Sequence, residues 1–484
     1  MELTAMYDVC IIGCGVIGAA AAFELSKYQA DILILEKEND VAMGSSRANS
    51  AIIHAGYDPK PGTLMARLNV EGNAMAEQLC KDLSVPFERI GSLVLAFSEE
   101  EEETIRMLYD RGVKNGVPGL RIIDAKEIHE MEPEVSPNAR MALYAPSAGI
   151  ITPWDYTLAF AETAVRNGVK IQLNSPVIGI ERLPEGGYCL KTPDAEYQAR
   201  YVINAAGVHS DTIHEMVAEK TFTVHPNRGE YYVMDKAECF RANHVLFQCP
   251  NQDGKGVLVT PTMDHNLLVG PNAEGVEDGD RVNNTAAGMA FVRDKAGKSV
   301  PGINYRNAIR NFAGIRANTD KDEFQISIAA ENFIDLAGIK SPGLSSAPAI
   351  ALEAMKLLNE CGFAPEKKAN PITKRVKKRF RYMNDEERRE AIKENPLYGR
   401  VICRCETVTE GEIIDAIRSP IPPCSVDGVK RRAGSGMGRC QGGFCGPRIV
   451  DILSRELGVN PMTITQDGAG SQLLLTETKQ EVGE

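Results

Sequence analysis

The stretch Tyr7–Glu36, YDVCIIGCGVIGAAAAFELSKYQADILILE, decides the fold of this chain. An apolar run, Val9–Ile12, is followed by the glycine pattern GCGVIG and by an alanine-rich segment. A second apolar run, Ile32–Leu35, ends at Glu36. This order predicts a strand, a glycine turn, a helix and a second strand, which together hold an adenine dinucleotide.

Each type of residue in this pattern has a separate physical role. Gly13 permits the tight turn, Gly15 lets the backbone approach a pyrophosphate, and Gly18 lets the helix lie close to the strand. The helix N-terminus offers N–H groups and a partial positive charge to the phosphates. Glu36 is placed to accept hydrogen bonds from ribose hydroxyls. These residues alone do not distinguish NAD from FAD, and a glycine-rich structural turn is the alternative.

Composition limits the classes of protein that the chain can represent. With 484 residues it exceeds what one hydrophobic core usually supports, so we expect two or three domains. The net charge of −12 argues against a general affinity for nucleic acid or anionic lipid. We find no secretory signal and no membrane span, which predicts a cytoplasmic protein that contacts a membrane only through a partner. In a reducing cytosol its twelve cysteines are expected to be free, metal-bound or catalytic.

Three further segments favour FAD over a nicotinamide. A Ser/Asn-rich loop, Gly44–Ser50, follows the second strand, where nicotinamide dehydrogenases continue with another crossover helix. A second strand that ends in glycine, Tyr201–Gly207, lies far along the chain. A late helix start, Ser341–Ser346, could direct N–H groups at the pyrimidine carbonyl, where negative charge collects on a reduced flavin.

These segments resemble the FAD-dependent oxidoreductases of the D-amino-acid oxidase superfamily over about residues 5–360. The resemblance rests on the sequences GCGVIG, GSSRANSAIIHAG, YVINAAG, FAGIR and AGIKSPGLSSAPAIA. Within that group, IIHAG and SPGLSS are most similar to L-2-hydroxyglutarate and glycerol-3-phosphate dehydrogenases. The resemblance implies an oxidoreductase that binds FAD.

The implied fold class is α/β (α+β), with a discontinuous Rossmann-like FAD domain and an antiparallel-sheet substrate domain. The C-terminal cysteines Cys403, Cys405, Cys440 and Cys445 predict in addition a small helical iron–sulfur domain. The alternation of apolar and polar residues in short runs over Thr221–Val300 agrees with the antiparallel sheet. We predict an oxidoreductase over 1–363, a basic surface linker over 364–399, a [2Fe–2S]-binding domain over 400–460 and a tail over 461–484. Within the first part, the FAD domain takes about 1–83, 145–220 and 313–363, and the substrate domain about 84–144 and 221–312.

The residues expected to contact FAD come from all of these segments. They are Gly13, Gly15, Gly18, Glu36, Ser45, Ser46, Asn49, Ala206, Gly207, Gly314, Gly343, Leu344 and Ser345.

Three side chains are candidates for the chemistry. Oxidation of a C–H next to O–H or N–H needs a base near neutral pKa, for which histidine is suited. His54 lies in the loop that the family places against the flavin, although it could be a histidine packed in an apolar run. Arg316 matches the arginine that the family places over an anionic substrate, although it could be a surface salt-bridge residue. Tyr231, in the substrate-domain sheet, is a weaker candidate.

Near the C-terminus, four cysteines form two close pairs, namely Cys403, Cys405, Cys440 and Cys445. Four thiolates in this pattern favour a [2Fe–2S] cluster, with zinc or unliganded thiols as alternatives. The surrounding sequence strongly resembles the [2Fe–2S] domain of bacterioferritin-associated ferredoxin. Cys424 lies between the pairs and is interpreted as a spare thiol.

A flavin accepts two electrons, whereas a [2Fe–2S] centre passes one at a time. The combination therefore predicts a dehydrogenase that feeds a partner, which the resemblance implies to be a second flavoprotein, a small electron-transfer subunit, or both. The resemblance to glycerol-3-phosphate dehydrogenases implies glycerol 3-phosphate as the favoured substrate. The alternatives are a dehydrogenase of L-2-hydroxyglutarate or another 2-hydroxy acid, an amino-acid dehydrogenase and, in another class, a non-catalytic electron-transfer or iron-handling protein.

Overall fold

A computed structural model describes residues 6–250 and 256–478 and divides them into two compact units. The first unit runs to Lys37 and continues over Val41–Arg375, and the second comprises Glu38–Asp40 and the chain from Val376 onward. The α-helices are α1 Val16–Leu25, α2 Leu64–Asp82, α3 Glu99–Lys114, α4 Ala125–Met131, α5 Pro153–Arg166, α6 Ser210–His214, α7 Ala286–Ser299, α8 Gly343–Glu360, α9 Asp385–Glu394, α10 Glu410–Ile417, α11 Val426–Ala433 and α12 Gly446–Leu457.

The strands belong mostly to the first unit. They are β1 Tyr7–Ile12, β2 Ile32–Leu35, β3 Ile52–Ile53, β4 Phe87–Glu88, β5 Ser92–Ala96, β6 Arg121–Asp124, β7 Met141–Ala145, β8 Gly149–Ile151, β9 Lys170–Gln172, β10 Gly179–Arg182, β11 Tyr188–Lys191, β12 Glu196–Asn204, β13 Val224–Met234, β14 Val245–Gln248, β15 Leu258–Pro261, β16 Leu267–Gly270, β17 Glu274–Gly275, β18 Ala308–Thr319, β19 Gln325–Ala330, β20 Phe333–Ala337, β21 Val401–Cys403 and β22 Val408–Thr409.

A mixed sheet with the order β10-β11-β12-β1-β2-β9 contains the predicted dinucleotide motif. β1 pairs in parallel with β2 and with β12, and β20 runs parallel to the end of β12. The strand β2 is buried at every position, and α1 packs against α5 and α8. Strands covered on both faces read as continuous apolar runs, which explains the sequences VCII and ILIL. The prediction of a strand, turn, helix and strand over Tyr7–Glu36 agrees with the structure.

A second sheet has the order β17-β13-β16-β15-β14-β5-β7-β6, with β18 also paired to β13. Its paired strands are antiparallel except for β5 with β14, as the alternating sequence predicted. Its core combines residues from the strands with Val292 and Ala296 of α7. That helix lies inside the region predicted to be a sheet, and Thr285 caps it by accepting a hydrogen bond from the Gly288 backbone N–H.

The region predicted as a surface linker is more structured than the sequence suggested. Arg375 is buried, and its guanidinium lies 2.9 Å from Glu162 and 3.2 Å from Asp155. Both carboxylates project from α5 seven residues apart, which places them on the same face of the helix. Further along, α9 begins with a capping box formed by Asn384 and Glu387.

The second unit has its own core, formed mainly by α10, α11 and α12. Part of the predicted tail belongs to it, because Ile464 is buried there and the Thr465 carbonyl accepts a hydrogen bond from the Val426 N–H. The short segment 38–40 also belongs to this unit. The carboxylate of Asp40 lies 2.7–2.8 Å from the guanidinium groups of Arg431 and Arg432, and all three residues are buried.

No helix in the two described stretches, 6–250 and 256–478, is long and apolar enough to cross a membrane.

Candidate functional site

The carboxyl ends of β1, β2 and β12 meet at one edge of the first sheet. Gly13 follows β1 with a φ of +97°, a conformation that favours glycine. A Cβ at this position would lie 2.6 Å from the carbonyl oxygen of Ala205, so only glycine allows the two loops to approach this closely. Ala206 and Gly207 follow directly after Ala205. Such an edge, with β1 between β2 and β12, is where ligands bind in α/β sheets.

The N-terminus of α1 points out of this edge. Gly15 is its N-cap and has no side chain to satisfy the first N–H groups, and Gly18 lies in the first turn. The hydroxyl of Ser46 accepts a hydrogen bond from the Val16 N–H at 2.8 Å. This hydrogen bond places the loop that contains Ser46 beside the helix N-terminus, where an anion is favoured.

Glu36 directly follows β2 at the same edge. Its Oε2 accepts a hydrogen bond from the backbone N–H of Cys14 at 2.6 Å, and the side chain is buried. The hydrogen bond joins the predicted ribose-binding carboxylate to the glycine turn. The two predicted elements of the dinucleotide motif therefore lie side by side.

The loop that carries Ser45, Ser46 and Asn49 lies directly on β18. A Cβ on Gly314 would come within 1.9 Å of the Ala48 carbonyl oxygen, and the hydroxyl of Ser45 donates to the carbonyl of Ile315. Asn49 holds the loop from inside, because its Nδ2 donates to the Ser45 carbonyl at 3.0 Å. The loop therefore packs closely against β18 along Gly314 and Ile315.

The backbone of His54 is fixed by three polar side chains. Its N–H donates to Ser345 Oγ at 2.7 Å, and its carbonyl accepts from the Nδ2 atoms of Asn69 and Asn73 at 2.9 and 3.0 Å. Ser345 lies in the first turn of α8, which begins at Gly343. Every polar group of the His54 backbone is therefore bonded, and the side chain starts from a fixed position.

The imidazole of His54 lies beside Ser341 and Phe247. Its Nε2 lies 3.2 Å from Ser341 Oγ, and its ring stacks on Phe247 with 5.7 Å between ring centroids. Leu344, another predicted flavin contact, is half-buried in the first turn of α8. That helix has no side-chain N-cap, so its N-terminus suits an electron-rich ligand group.

Arg316 lies on β18 two residues after Gly314, on the same face of the sheet. Its Nη1 donates to Asn227 Oδ1 at 2.6 Å and its Nη2 to the carbonyl of Asn272 at 3.2 Å. The guanidinium covers Gly229, where a Cβ would lie 2.4 Å from Nη2. The side chain is half-buried and held by neutral acceptors, with no carboxylate among these contacts, which suits an anion anchor better than a surface salt bridge.

Tyr231 occupies the same face of β13, because it lies two residues after Gly229. Its ring stacks on Phe312 with 4.6 Å between centroids, and its hydroxyl lies 3.0 Å from Ser50 Oγ. Ser50 ends the loop that packs on β18. The structure therefore places Tyr231 and Arg316 on the sheet face that this loop covers.

The four cysteines form two adjacent pairs in the second unit. Cys405 Sγ lies 3.7 Å from Cys440 Sγ, and Cys403 is hydrogen-bonded to Cys445. No group of three or more metal-ligating side chains surrounds a single point among residues 6–250 and 256–478. Two pairs of thiols match a binuclear cluster, in which each iron takes two protein ligands, better than a tetrahedral zinc site.

Local hydrogen bonds already favour thiolates at two of these positions. The Cys445 thiol donates to Cys403 and lowers the pKa of Cys403 to about 6, while the pKa of Cys445 itself is raised by the same bond. The backbone N–H of Phe444 lowers the pKa of Cys440. Because a thiolate is the form that binds iron, one cysteine of each pair is prepared for ligation.

Several site residues were not predicted from the sequence. Asn227 and Asn272 hold Arg316, and Phe247 and Ser341 contact the ring of His54. Ser341 lies in the SPGLSS segment and could have been proposed. The other three have no local sequence signal, because only the strand pairing brings them to the site.

The chain matches the family model described as FAD dependent oxidoreductase over residues 8–357 and the model described as BFD-like [2Fe-2S] binding domain over residues 401–455. A "Glycerol 3-phosphate dehydrogenase" from Caloramator mitchellensis is 48% identical, with 99% of this chain and 100% of that protein covered. The human mitochondrial "L-2-hydroxyglutarate dehydrogenase" is 32% identical over 56% of this chain and 61% of its own length.

Among solved structures, the dithionite-reduced L-α-glycerophosphate oxidase of Mycoplasma pneumoniae with FAD bound is 33% identical. It has a TM-score of 0.73 and covers 77% of this chain and 98% of its own. The predicted fold class and the predicted cofactors, FAD and a [2Fe–2S] cluster, are confirmed by these matches.

Proposed function

This chain belongs to the family of FAD-dependent oxidoreductases and acts on a CH–OH group, and we propose that its substrate is sn-glycerol 3-phosphate. The product would be dihydroxyacetone phosphate. The observation that carries this proposal is the 48% identity to a protein named "Glycerol 3-phosphate dehydrogenase" over 99% of the chain. That match extends through the cysteine module as well as the flavin unit.

The substrate's phosphate is assigned to Arg316. Its guanidinium is held in place by Asn227 and by the Asn272 carbonyl, so its orientation is set before substrate binds. A planar guanidinium binds a phosphate through two parallel hydrogen bonds. The side chain therefore supplies both affinity and orientation for a phosphate ester.

Proton removal is assigned to His54. FAD, when bound, supplies N5 as the acceptor of the hydride that leaves the substrate carbon. His54 takes the proton of the substrate hydroxyl at Nε2, where that hydroxyl replaces Ser341 Oγ, now 3.2 Å away, as the partner of the nitrogen's single lone pair. Tyr231 is assigned to the wall of the site on the sheet face of Arg316, where its hydroxyl contacts Ser50.

The residues assigned to hold FAD are those at the carboxyl edge of the first sheet. The N-terminus of α1 with Ser46 would take the pyrophosphate, Glu36 the ribose hydroxyls, and the N-terminus of α8 the pyrimidine. The domain boundaries given above and the individual site residues remain predictions.

Electrons are proposed to leave through the cysteine module to a protein partner, either a second flavoprotein or a small electron-transfer subunit. A [2Fe–2S] cluster accepts one electron at a time, so the module suits transfer to a carrier better than direct reduction of oxygen. This supports a dehydrogenase rather than an oxidase. The oxidase from Mycoplasma pneumoniae is matched over only 77% of this chain.

Anaerobic titration of the purified holoenzyme tests the substrate. We expect sn-glycerol 3-phosphate to bleach the flavin absorbance and to produce the electron paramagnetic resonance signal of a reduced [2Fe–2S] cluster. Glycerol, which lacks the phosphate, is the matched control and should leave the flavin oxidised. An unchanged flavin spectrum with the phosphate ester would refute the proposed substrate.

A second candidate is a 2-hydroxy-acid dehydrogenase, favoured by the likeness to L-2-hydroxyglutarate dehydrogenase. Arg316 would then bind a carboxylate instead of a phosphate, with His54 in the same role. Titration with L-2-hydroxyglutarate, with L-proline as the amino-acid alternative, decides between them. Bleaching by the hydroxy acid at much lower concentration than by the phosphate ester would make this candidate the function.

A further inference from the structure

The cysteine pairs are bordered by exposed residues that are basic or aromatic. Arg404, Arg439 and Arg448 are exposed, and each lies within three residues of a cysteine of the pairs. Phe444 directly precedes Cys445 and is 82% exposed. We call these four residues the cluster rim.

The rim carries positive charge in a chain that is strongly acidic overall. The segment 434–448, GSGMGRCQGGFCGPR, contains two arginines and no acidic residue, although the whole chain has a net charge of −12. The neighbouring acid Glu406 is buried and lies 3.1 Å from Arg381. Asp427 is likewise buried and lies 2.7 Å from Lys430. Both carboxylates have a basic partner that is not one of the rim residues.

Not every basic residue of the module belongs to this surface. Arg431 and Arg432 are buried against Asp40. They are structural residues of the second unit. The exposed arginines beside the cysteines are those of the cluster rim, Arg404, Arg439 and Arg448.

Phe444 adds an apolar contact at the centre of this charge. Its backbone N–H is bonded to the Cys440 thiol, which fixes the position from which its ring projects into solvent. Aromatic residues and arginines are the groups that contribute most to binding at interfaces. Cys405 itself is exposed, so the cluster edge lies at this surface.

We propose that the cluster rim is the docking surface for an acidic one-electron carrier protein. The inference rests on the proposed function in one respect, namely that electrons leave through the cysteine module. In the transfer, the reduced cluster loses one electron, the carrier's redox centre gains it, and no proton or covalent bond is exchanged. Opposite charges bring the carrier to the rim, and Phe444 supplies the apolar contact.

Two small electron acceptors of opposite charge test this directly. Oxidised plastocyanin, an acidic copper protein, and oxidised cytochrome c, a basic haem protein, are mixed with holoenzyme that has been reduced with dithionite and freed of excess reductant. We expect the second-order rate constant to be larger for plastocyanin at low salt and to fall as salt is added. The equilibrium affinity of the enzyme for plastocyanin, measured by calorimetry with both proteins oxidised, should likewise fall as salt is added.

Variants of the rim identify the surface. The triple variant R404Q/R439Q/R448Q should lower the rate constant and the affinity for plastocyanin by about tenfold or more, the scale of electrostatic steering. Phe444→Ala should weaken binding without changing its salt dependence. Arg389→Gln, an exposed arginine of α9 in the same unit, is the matched control and should change neither quantity. Iron content and the resonance spectrum of each variant report whether the cluster is intact.

Several results would overturn the proposal. One is a preference for cytochrome c, and another is a triple variant with intact cluster and unchanged affinity for plastocyanin. A triple variant that shifts only the reduction potential of the cluster would show that the arginines offset its charge and do not dock a carrier. Because dithionite bypasses the substrate, failure of sn-glycerol 3-phosphate to reduce the enzyme would refute the proposed function without affecting these measurements.

Discussion

The flavin site and the cysteine module hold their cofactors in contrasting ways. The predicted flavin contacts extend from Gly13 to Ser345, and many of them are backbone groups at strand ends and helix starts. In the module the predicted ligands are four side chains between Cys403 and Cys445, on a small unit with a core of its own. Distributed contacts should tolerate the loss of one member, whereas a small metal-bound unit should lose the metal and stability together.

The largest effect is expected from Cys445→Ser. A [2Fe–2S] cluster requires about two iron atoms per chain. The serine hydroxyl is a poor ligand for iron, so the iron content should fall to nearly none. The flavin should remain bound and reducible by substrate, while transfer to one-electron acceptors is lost. Iron analysis, flavin content and resonance spectra measure these quantities.

Cys424→Ser is the matched control for that experiment, because Cys424 is an exposed thiol between the same pairs. It should keep its iron. A Cys424→Ser protein without iron would show that the assignment of the four ligands is wrong. A Cys445→Ser protein with a full cluster would show that the cysteine module, like the flavin site, tolerates the loss of one contact.

His54→Gln tests the flavin site where a single side chain matters most. Loss of a general base lowers kcat by about 10²- to 10⁴-fold. FAD should still bind, since the His54 backbone keeps its bonds to Ser345, Asn69 and Asn73. Steady-state kinetics and flavin content measure the two effects. Ser341→Ala, which removes only the neighbouring hydroxyl, should slow the reaction much less; equal losses in both variants would mean that His54 is not the base.

Asp40→Asn tests the charged packing of the second unit. Burial alone would raise the pKa of Asp40, but Arg432 and Arg431 outweigh it, so the pKa lies below its ordinary value. Such a group stabilises the fold above its unfolded pKa, about 4, and loses this contribution as the pH falls through the lower folded pKa.

The variant removes the buried carboxylate that Arg431 and Arg432 share, while Arg431 keeps its second carboxylate partner, Asp467, at 2.9 Å. The loss should cost about 3–5 kcal/mol of unfolding free energy at neutral pH. Denaturant unfolding from pH 7 to pH 3 checks this, and the difference from wild type should shrink below about pH 4. A difference that stays constant over that range would mean that the ionised Asp40 is not the stabilising form. Lys393→Gln, on the exposed side of α9, is a control that should leave stability unchanged.

A smaller effect is expected from Arg316→Lys. The substitution keeps the charge but loses the two-pronged geometry, and the loss of one hydrogen bond to a charged group, roughly 1.5–3 kcal/mol, should raise KM about 10- to 100-fold. Asn227→Ala keeps the guanidinium and removes one of its supports, so KM should rise only about two- to tenfold. Kinetics with sn-glycerol 3-phosphate measure both. If Asn227→Ala is the more damaging change, Arg316 is not the main anchor.

The parts of the molecule that sequence predicted well depend on short-range patterns. The strand, glycine turn, helix and strand around Gly13 are local, and the glycine at each position has a local reason. The cysteine pairs were recognisable because their ligands recur at short spacing. Helix α7 was missed although Thr285 marks its start, because the alternating strands on either side set the interpretation of the whole region.

The parts that could not be predicted depend on tertiary contacts. Ser341 and His54 are separated by 287 residues, and nothing in either segment indicates that their side chains meet. Asn227 reaches Arg316 only because the β13–β18 register places the two residues opposite each other. Arg375 was placed in a surface linker because its two carboxylate partners lie on α5, some two hundred positions earlier.

The pairing of β1 has a consequence for how the chain folds during synthesis. Its neighbour β2 follows within thirty residues, but its other neighbour, β12, is made almost two hundred residues later. At a synthesis rate of about 5–20 residues per second, one edge of this buried strand waits roughly 10–40 s for its partner. The chain from Val376 onward supplies most of the second unit from nearby sequence, so that part should fold soon after it is made. Because the first unit is assembled late from distant segments, mutations that slow its folding should reduce the yield of soluble enzyme before they reduce its activity.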